Sequence, residues 1–155
     1  MEYGWLLLFH ALASLVWVGG MFFAFIVLRP ASSAVLEPPS RLRLWYRVLA
    51  RFFAWVWFAV LLLLATGFRM ILGHLGGMKN LPMHVNLMMG IGLLMMLLFV
   101  FLYFVPFQRL RNAVKEESWP EAGKAMGKVR GIVAVNLVLG LITVVLGSAG
   151  QYLFS

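Results

Sequence analysis

Four apolar runs, over residues 5–28, 52–72, 85–105 and 132–153, decide what this chain can become. Each has about the 20 residues that a helix needs to cross a hydrocarbon core of about 30 Å. In lipid the backbone must satisfy its own hydrogen bonds within the spanning segment, which a helix does. The chain is 63% hydrophobic, well above the roughly 45–50% of a soluble domain. The expected fold is therefore all-α: a polytopic membrane protein forming a four-transmembrane-helix bundle. We expect one domain over 1–155, with helices over about 5–28, 49–73, 83–106 and 130–153 and cytoplasmic loops at 29–48 and 107–129. The first run is read as a retained helix. Its leader carries Glu2 and no Lys or Arg, and the run is too long for the apolar core of a signal peptide.

Orientation follows from the basic residues. Arg29, Arg41, Arg43, Arg47 and Arg51 cluster after the first run, and Arg109, Arg111, Lys115, Lys124, Lys128 and Arg130 after the third, whereas the second connection has only Lys79. The positive-inside rule then places both termini and the second connection outside. The expected location is a bacterial inner membrane, multi-pass, with periplasmic termini. Tyr3, Trp5 and Tyr152 suit the outer aromatic belt, and Trp45, Tyr46 and Trp119 the inner one. The connection before the fourth run carries Ser118-Trp119-Pro120-Glu121, a capping-box pattern with Pro in the first turn. It predicts a fourth helix that starts well before the membrane. The connection after the first run, with Pro30, Pro38 and Pro39, is expected to start irregularly.

Composition removes several chemistries. Without Cys there are no disulfides, thiolate zinc sites, iron–sulfur clusters or covalent haem attachment. The five carboxylates, Glu2, Glu37, Glu116, Glu117 and Glu121, lie mostly outside the apolar runs, so an intramembrane chain of acids is not expected. The net charge of +8 reflects topology and contact with anionic headgroups of the lipid bilayer. A nucleic-acid partner is not expected, because no soluble face presents the charge.

The three histidines, His10, His74 and His84, fall at one end of the expected bundle. An imidazole in or beside a bilayer is costly unless it has a partner. His10 lies roughly 8 Å below Trp5 at 1.5 Å per residue. Its face continues through Ala13, Ser14, Trp17 and Gly20, a stripe that permits close helix packing or leaves room for a flat macrocycle. His84 opens the third helix just after Pro82, and His74 closes the second. Facing imidazoles on two bundle helices suit a six-coordinate b-type haem. His10 and His84 are the preferred ligands, with His74 as the substitute. Arg69, one turn from the end of the second run, has no acid nearby in sequence, so haem propionates or lipid phosphate would supply its counter-charge. The other end has no His, which excludes a second bis-His haem there.

Methionine offers another chemistry. Met70, Met78, Met83 and Met88 surround His74 and His84, and His84 with Met88 is an i, i+4 pair. Imidazole plus thioether suits Cu(I), with His10, His84, Met88 and Met83 as candidate donors, though Met also commonly fills membrane cores. Asn136 heads a stripe with Gly140, Thr143, Gly147 and Gly150 and is expected to bridge helices.

The segments Phe9-His10-Ala11-Leu12-Ala13, Trp17-Val18-Gly19-Gly20 and Leu28-Arg29-Pro30 resemble the first helix of the CopD family, the copper-resistance D membrane proteins. Met83-His84-Val85-Asn86-Leu87, Arg109-Leu110-Arg111 and the segment from Val129-Arg130 to Asn136-Leu137 extend the likeness. It implies a minimal four-helix form and copper handling. The chain is also similar to the HemJ-type protoporphyrinogen oxidases, four-helix proteins that bind haem b through a first-helix His and a third-helix Lys. His10 matches the first, but Asn86 stands at the Lys position, which argues against oxidase activity and makes His84 the replacement ligand.

The leading expectation is thus a haem b protein transferring single electrons at the periplasmic face, with a periplasmic redox protein or a quinone as partner. Two His ligands leave no open iron position for oxygen chemistry. The alternative is a copper-binding or copper-transport protein served by a copper carrier. A third is an accessory subunit, homo-oligomeric or part of a larger membrane complex.

Overall fold

The structure is a computed structural model describing all residues, Met1–Ser155. It is helical throughout, without strands. α1 (Glu2–Phe22) passes through a π-helical stretch, Phe23–Leu28, into α2 (Arg29–Val35). After a two-residue break come α3 (Pro38–His74), a 3-10 turn at Met78–Asn80, α4 (Met83–Phe104), α5 (Pro106–Lys115) and α6 (Trp119–Leu153). Four helical stretches, Glu2–Val35, Pro38–His74, Met83–Lys115 and Trp119–Leu153, are long and apolar enough to cross a membrane. The fold is that of a multi-pass α-helical membrane protein.

The expected loops at 29–48 and 107–129 are mostly helix, and the first connection does not start irregularly. Pro30 lacks an N–H and its ring crowds the carbonyl four residues back. The π-helical stretch before it widens the turn, and the helix continues. The chain reverses only at Leu36 and Glu37, where Pro38 and Pro39 start α3. At about 1.5 Å per residue α3 is some 55 Å long, so it extends well beyond a bilayer core. The third connection breaks at Val105, in a non-helical conformation (φ −114, ψ −82). A residue before proline disfavours the α region, and Pro106 is next in the chain. The Gln108 amide donates to the Tyr103 carbonyl at 3.2 Å, serving a carbonyl beside the break. α6 begins at Trp119, before the apolar run, as expected. Ser118 is its N-cap, but no side-chain capping bond forms.

α1 packs chiefly on α3, and α4 on α6, while α1 also lies along α6. α1 and α4 thus sit diagonally and meet through large side chains, Trp17 and Phe99, whose rings are 6.1 Å apart. Phe53 anchors an aromatic core with Phe99 at 5.5 Å and Phe107 at 4.9 Å. Small residues set the helix spacing. A Cβ at Gly140 would lie 2.8 Å from Val18 Cγ2, and one at Gly20 would overlap the Phe52 ring. Leu61, Leu72, Leu97 and Trp55 point outward. Such a broad apolar exterior suits lipid and would be an association hazard in water.

Candidate functional site at the histidine end

His10 is half-buried on α1 and faces α3. Its Nδ1 lies 2.8 Å from Thr66 Oγ1. The Thr66 hydroxyl has one proton, and it points at backbone carbonyls: Leu62 O at 2.7 Å, with Leu63 O at 3.3 Å. With that proton on the carbonyls, Oγ1 offers His10 a lone pair, which favours the tautomer with the imidazole proton on Nδ1. The Nε2 lone pair is left free. A donor nitrogen oriented through the opposite ring N–H is the arrangement found in metal-ligating histidines. The ring lies against Gly67, where an added Cβ would be in ordinary contact with His10 Cε1 at 3.4 Å.

The stripe through Ala13, Trp17 and Gly20 is closed by protein. Ala13 and Trp17 are buried, Phe52 of α3 fills the space over Gly20, and the Ser14 hydroxyl turns back to the His10 carbonyl at 2.9 Å. The room expected for a macrocycle along this face is occupied by α3.

His84 is half-buried at the start of α4 and packs on α6. A Cβ at Gly150 would lie 2.6 Å from His84 Cβ, and one at Gly147 would lie 3.3 Å from Met88 Sδ. His84 and Met88 thus share one face over two glycines of α6. Met83 is exposed beside them. His74 is exposed at the end of α3, with the Tyr3 ring edge-on at 5.3 Å. The three histidines share one end of the bundle but have different neighbours: His10 faces α3, His84 faces α6 and His74 meets the start of α1. No group of three or more His or carboxylate side chains converges.

The counter-charge of Arg69 is Glu2. Its Nε and Nη2 lie 2.8 Å and 2.6 Å from Glu2 Oε1, with both side chains more than half exposed. The residues are 67 apart in sequence, so only the antiparallel pairing of α1 with α3 brings them together. Sequence reasoning also missed Thr66, although a hydroxyl in an otherwise aliphatic stretch was a signal. Asn136 bridges helices as expected, its amide donating to the Met95 carbonyl at 3.2 Å.

Fold and site together define a four-helix integral membrane protein with imidazole and thioether groups gathered at one end. The family model described as copper resistance protein D matches residues 46–149. The chain belongs to that family. The match includes His74, His84 and Met88 but not the first helix, where the residue-level likeness was most specific. The likeness to HemJ-type oxidases gains no match. No curated protein and no solved structure gives a significant match to the chain.

Proposed function

We propose that this protein binds copper as cargo at the histidine end of the bundle, in a membrane step of copper tolerance or delivery. The observation that carries this reading is the match to the copper resistance D family over the helices that supply His84 and Met88. The donor chemistry supports it. Imidazole and thioether favour Cu(I), and the chain has no thiol to compete. His84 and Met88 would hold the ion from α4, with Met83 beside them. His10, its Nε2 free, would receive or relay copper from α1. With both termini facing the periplasm, as the basic connections argue, a soluble copper carrier would exchange at this end.

An imidazole whose Nδ1 is held by Thr66 also suits haem iron, although α3 fills the stripe beside it, so the b-type haem reading is tested on the same sample. The detergent-purified protein is titrated with Cu(I) against a chromophoric chelator. Haem is quantified from a reduced-minus-oxidised visible spectrum. About one Cu(I) per chain, lost in His84→Ala and weakened in Met88→Leu, is the expected result. Stoichiometric haem that disappears in His10→Ala, without copper binding, would replace it with the electron-transfer reading. Neither cofactor, together with stable co-purification of a larger complex, would leave an accessory subunit.

A further inference from the structure

A cavity lies at the opposite end from the histidines. It is an open pocket of about 200 Å³ between the π-helical stretch and α2 on one side, α3 on the second and α6 on the third. Arg29, Arg41 and Arg130 all line it, with Ser33, Trp45 and Trp119. All three arginines are half-buried. No carboxylate lines the cavity, and the ion pairs of the chain lie elsewhere: Arg43 with Glu117, Arg69 with Glu2 and Lys124 with Glu121. Three like charges brought together by three helices, with none of their own counter-charges present, repel one another unless an anion enters.

The segment that carries Arg29 is held in place. Trp45 Nε1 donates to Ser32 Oγ at 3.2 Å, and Ser32 donates to the Arg29 carbonyl at 3.0 Å, which ties α2 to α3. The π-helical stretch ends at the residue before Arg29. One residue inserted into a helix turns the downstream segment by roughly 100°, so this stretch sets the direction in which Arg29 emerges. Such π insertions are frequent at functional sites. The Arg29 guanidinium lies over the Phe25 ring at 5.0 Å, a partner that leaves its N–H donors available.

We infer that this cavity binds a phosphate-bearing anion, either the phosphodiester of an anionic phospholipid headgroup or a soluble phosphate. Guanidinium groups present paired N–H donors that match phosphate oxygens. Basic pockets between membrane helices are suited to anionic headgroups, and the half-buried Trp119 supplies an amphipathic ring at the site, whereas Trp45 is buried in the core rather than in the inner aromatic belt. The site is distinct from the histidine end, and it stands whether or not the protein binds copper.

The test uses the full-length protein, delipidated in a non-ionic detergent. Thermal stability is monitored on titration with phosphatidylglycerol, with phosphatidylcholine and with inorganic phosphate. A saturable stabilisation by phosphatidylglycerol or by phosphate, absent with phosphatidylcholine, is expected. Response to the lipid alone identifies a headgroup site, and response to phosphate alone a soluble anion. Arg29→Gln and Arg130→Gln should each weaken the effect at least about tenfold, whereas Arg111→Gln, exposed on α5 and outside the cavity, should not. Equal responses to the two lipids with none to phosphate overturn the inference, as does unchanged affinity in both cavity variants. The contrast between ligands on the unaltered protein decides the matter even if a variant does not fold.

Discussion

His10 Nδ1 lies 2.8 Å from the hydroxyl of Thr66, 56 residues away, and that hydroxyl donates a hydrogen bond to the carbonyl of Leu62 at 2.7 Å. This pair of contacts favours the tautomer in which Nε2 remains basic. Thr66→Val keeps the shape of the side chain and removes the acceptor. In ¹⁵N spectra of histidine-labelled protein, the Nδ1–H tautomer of His10 should dominate in the wild type and lose that dominance in Thr66→Val. If His10 serves as a ligand, cofactor or copper affinity should also fall by about 10- to 100-fold. Identical tautomers in both proteins would show that Thr66 does not orient the ring.

Gly150 carries the closest packing at the histidine end. Its added Cβ would meet His84 Cβ at 2.6 Å, an atom on the backbone stem that cannot swing away. Gly150→Ala should destabilise the bundle by about 1–3 kcal/mol. Gly131→Ala, in the same helix with nothing within 4 Å, should be neutral or stabilising by up to about 1 kcal/mol. Unfolding of both variants in detergent gives the comparison. Equal stabilities would mean that α4 and α6 separate more easily than their packing implies.

The Glu2–Arg69 pair is more than half exposed on both sides. Exposed pairs are screened and contribute about 0–1 kcal/mol. A double-mutant cycle with Glu2→Gln and Arg69→Gln should therefore give a coupling below about 1 kcal/mol, decreasing with salt. Because Glu2 already supplies the counter-charge, Arg69→Gln should leave any bound cofactor or copper in place. Loss of haem from Arg69→Gln alone would restore the propionate role.

Asn136 is 1% exposed, donates once to Met95 and leaves its Oδ1 unpartnered. Interhelical side-chain bonds in membrane proteins average only about 0.6 kcal/mol, and the unpaired oxygen already offsets part of that. Asn136→Leu should change stability by less than about 1 kcal/mol, read from unfolding in detergent. A loss several times larger would indicate that the oxygen has a partner such as a buried water.

The sequence by itself determined the class of fold, the number of spanning helices and the gathering of His10, His74 and His84 at one end. These follow from the lengths of apolar runs and from helices alternating in direction, both one-dimensional properties. The early start of α6 was legible from the Ser118-Trp119-Pro120-Glu121 pattern ahead of the apolar run. The helical path through Pro30 was not, because it depends on a π-helical adjustment that accommodates the missing N–H. Partnership was decided only by the tertiary structure. Thr66 meets His10, Glu2 meets Arg69, Gly150 seats His84, and three arginines from separate segments line one cavity. Each of these joins residues on separate helices, and the rotation of one helix about its axis against another determines which side chains touch.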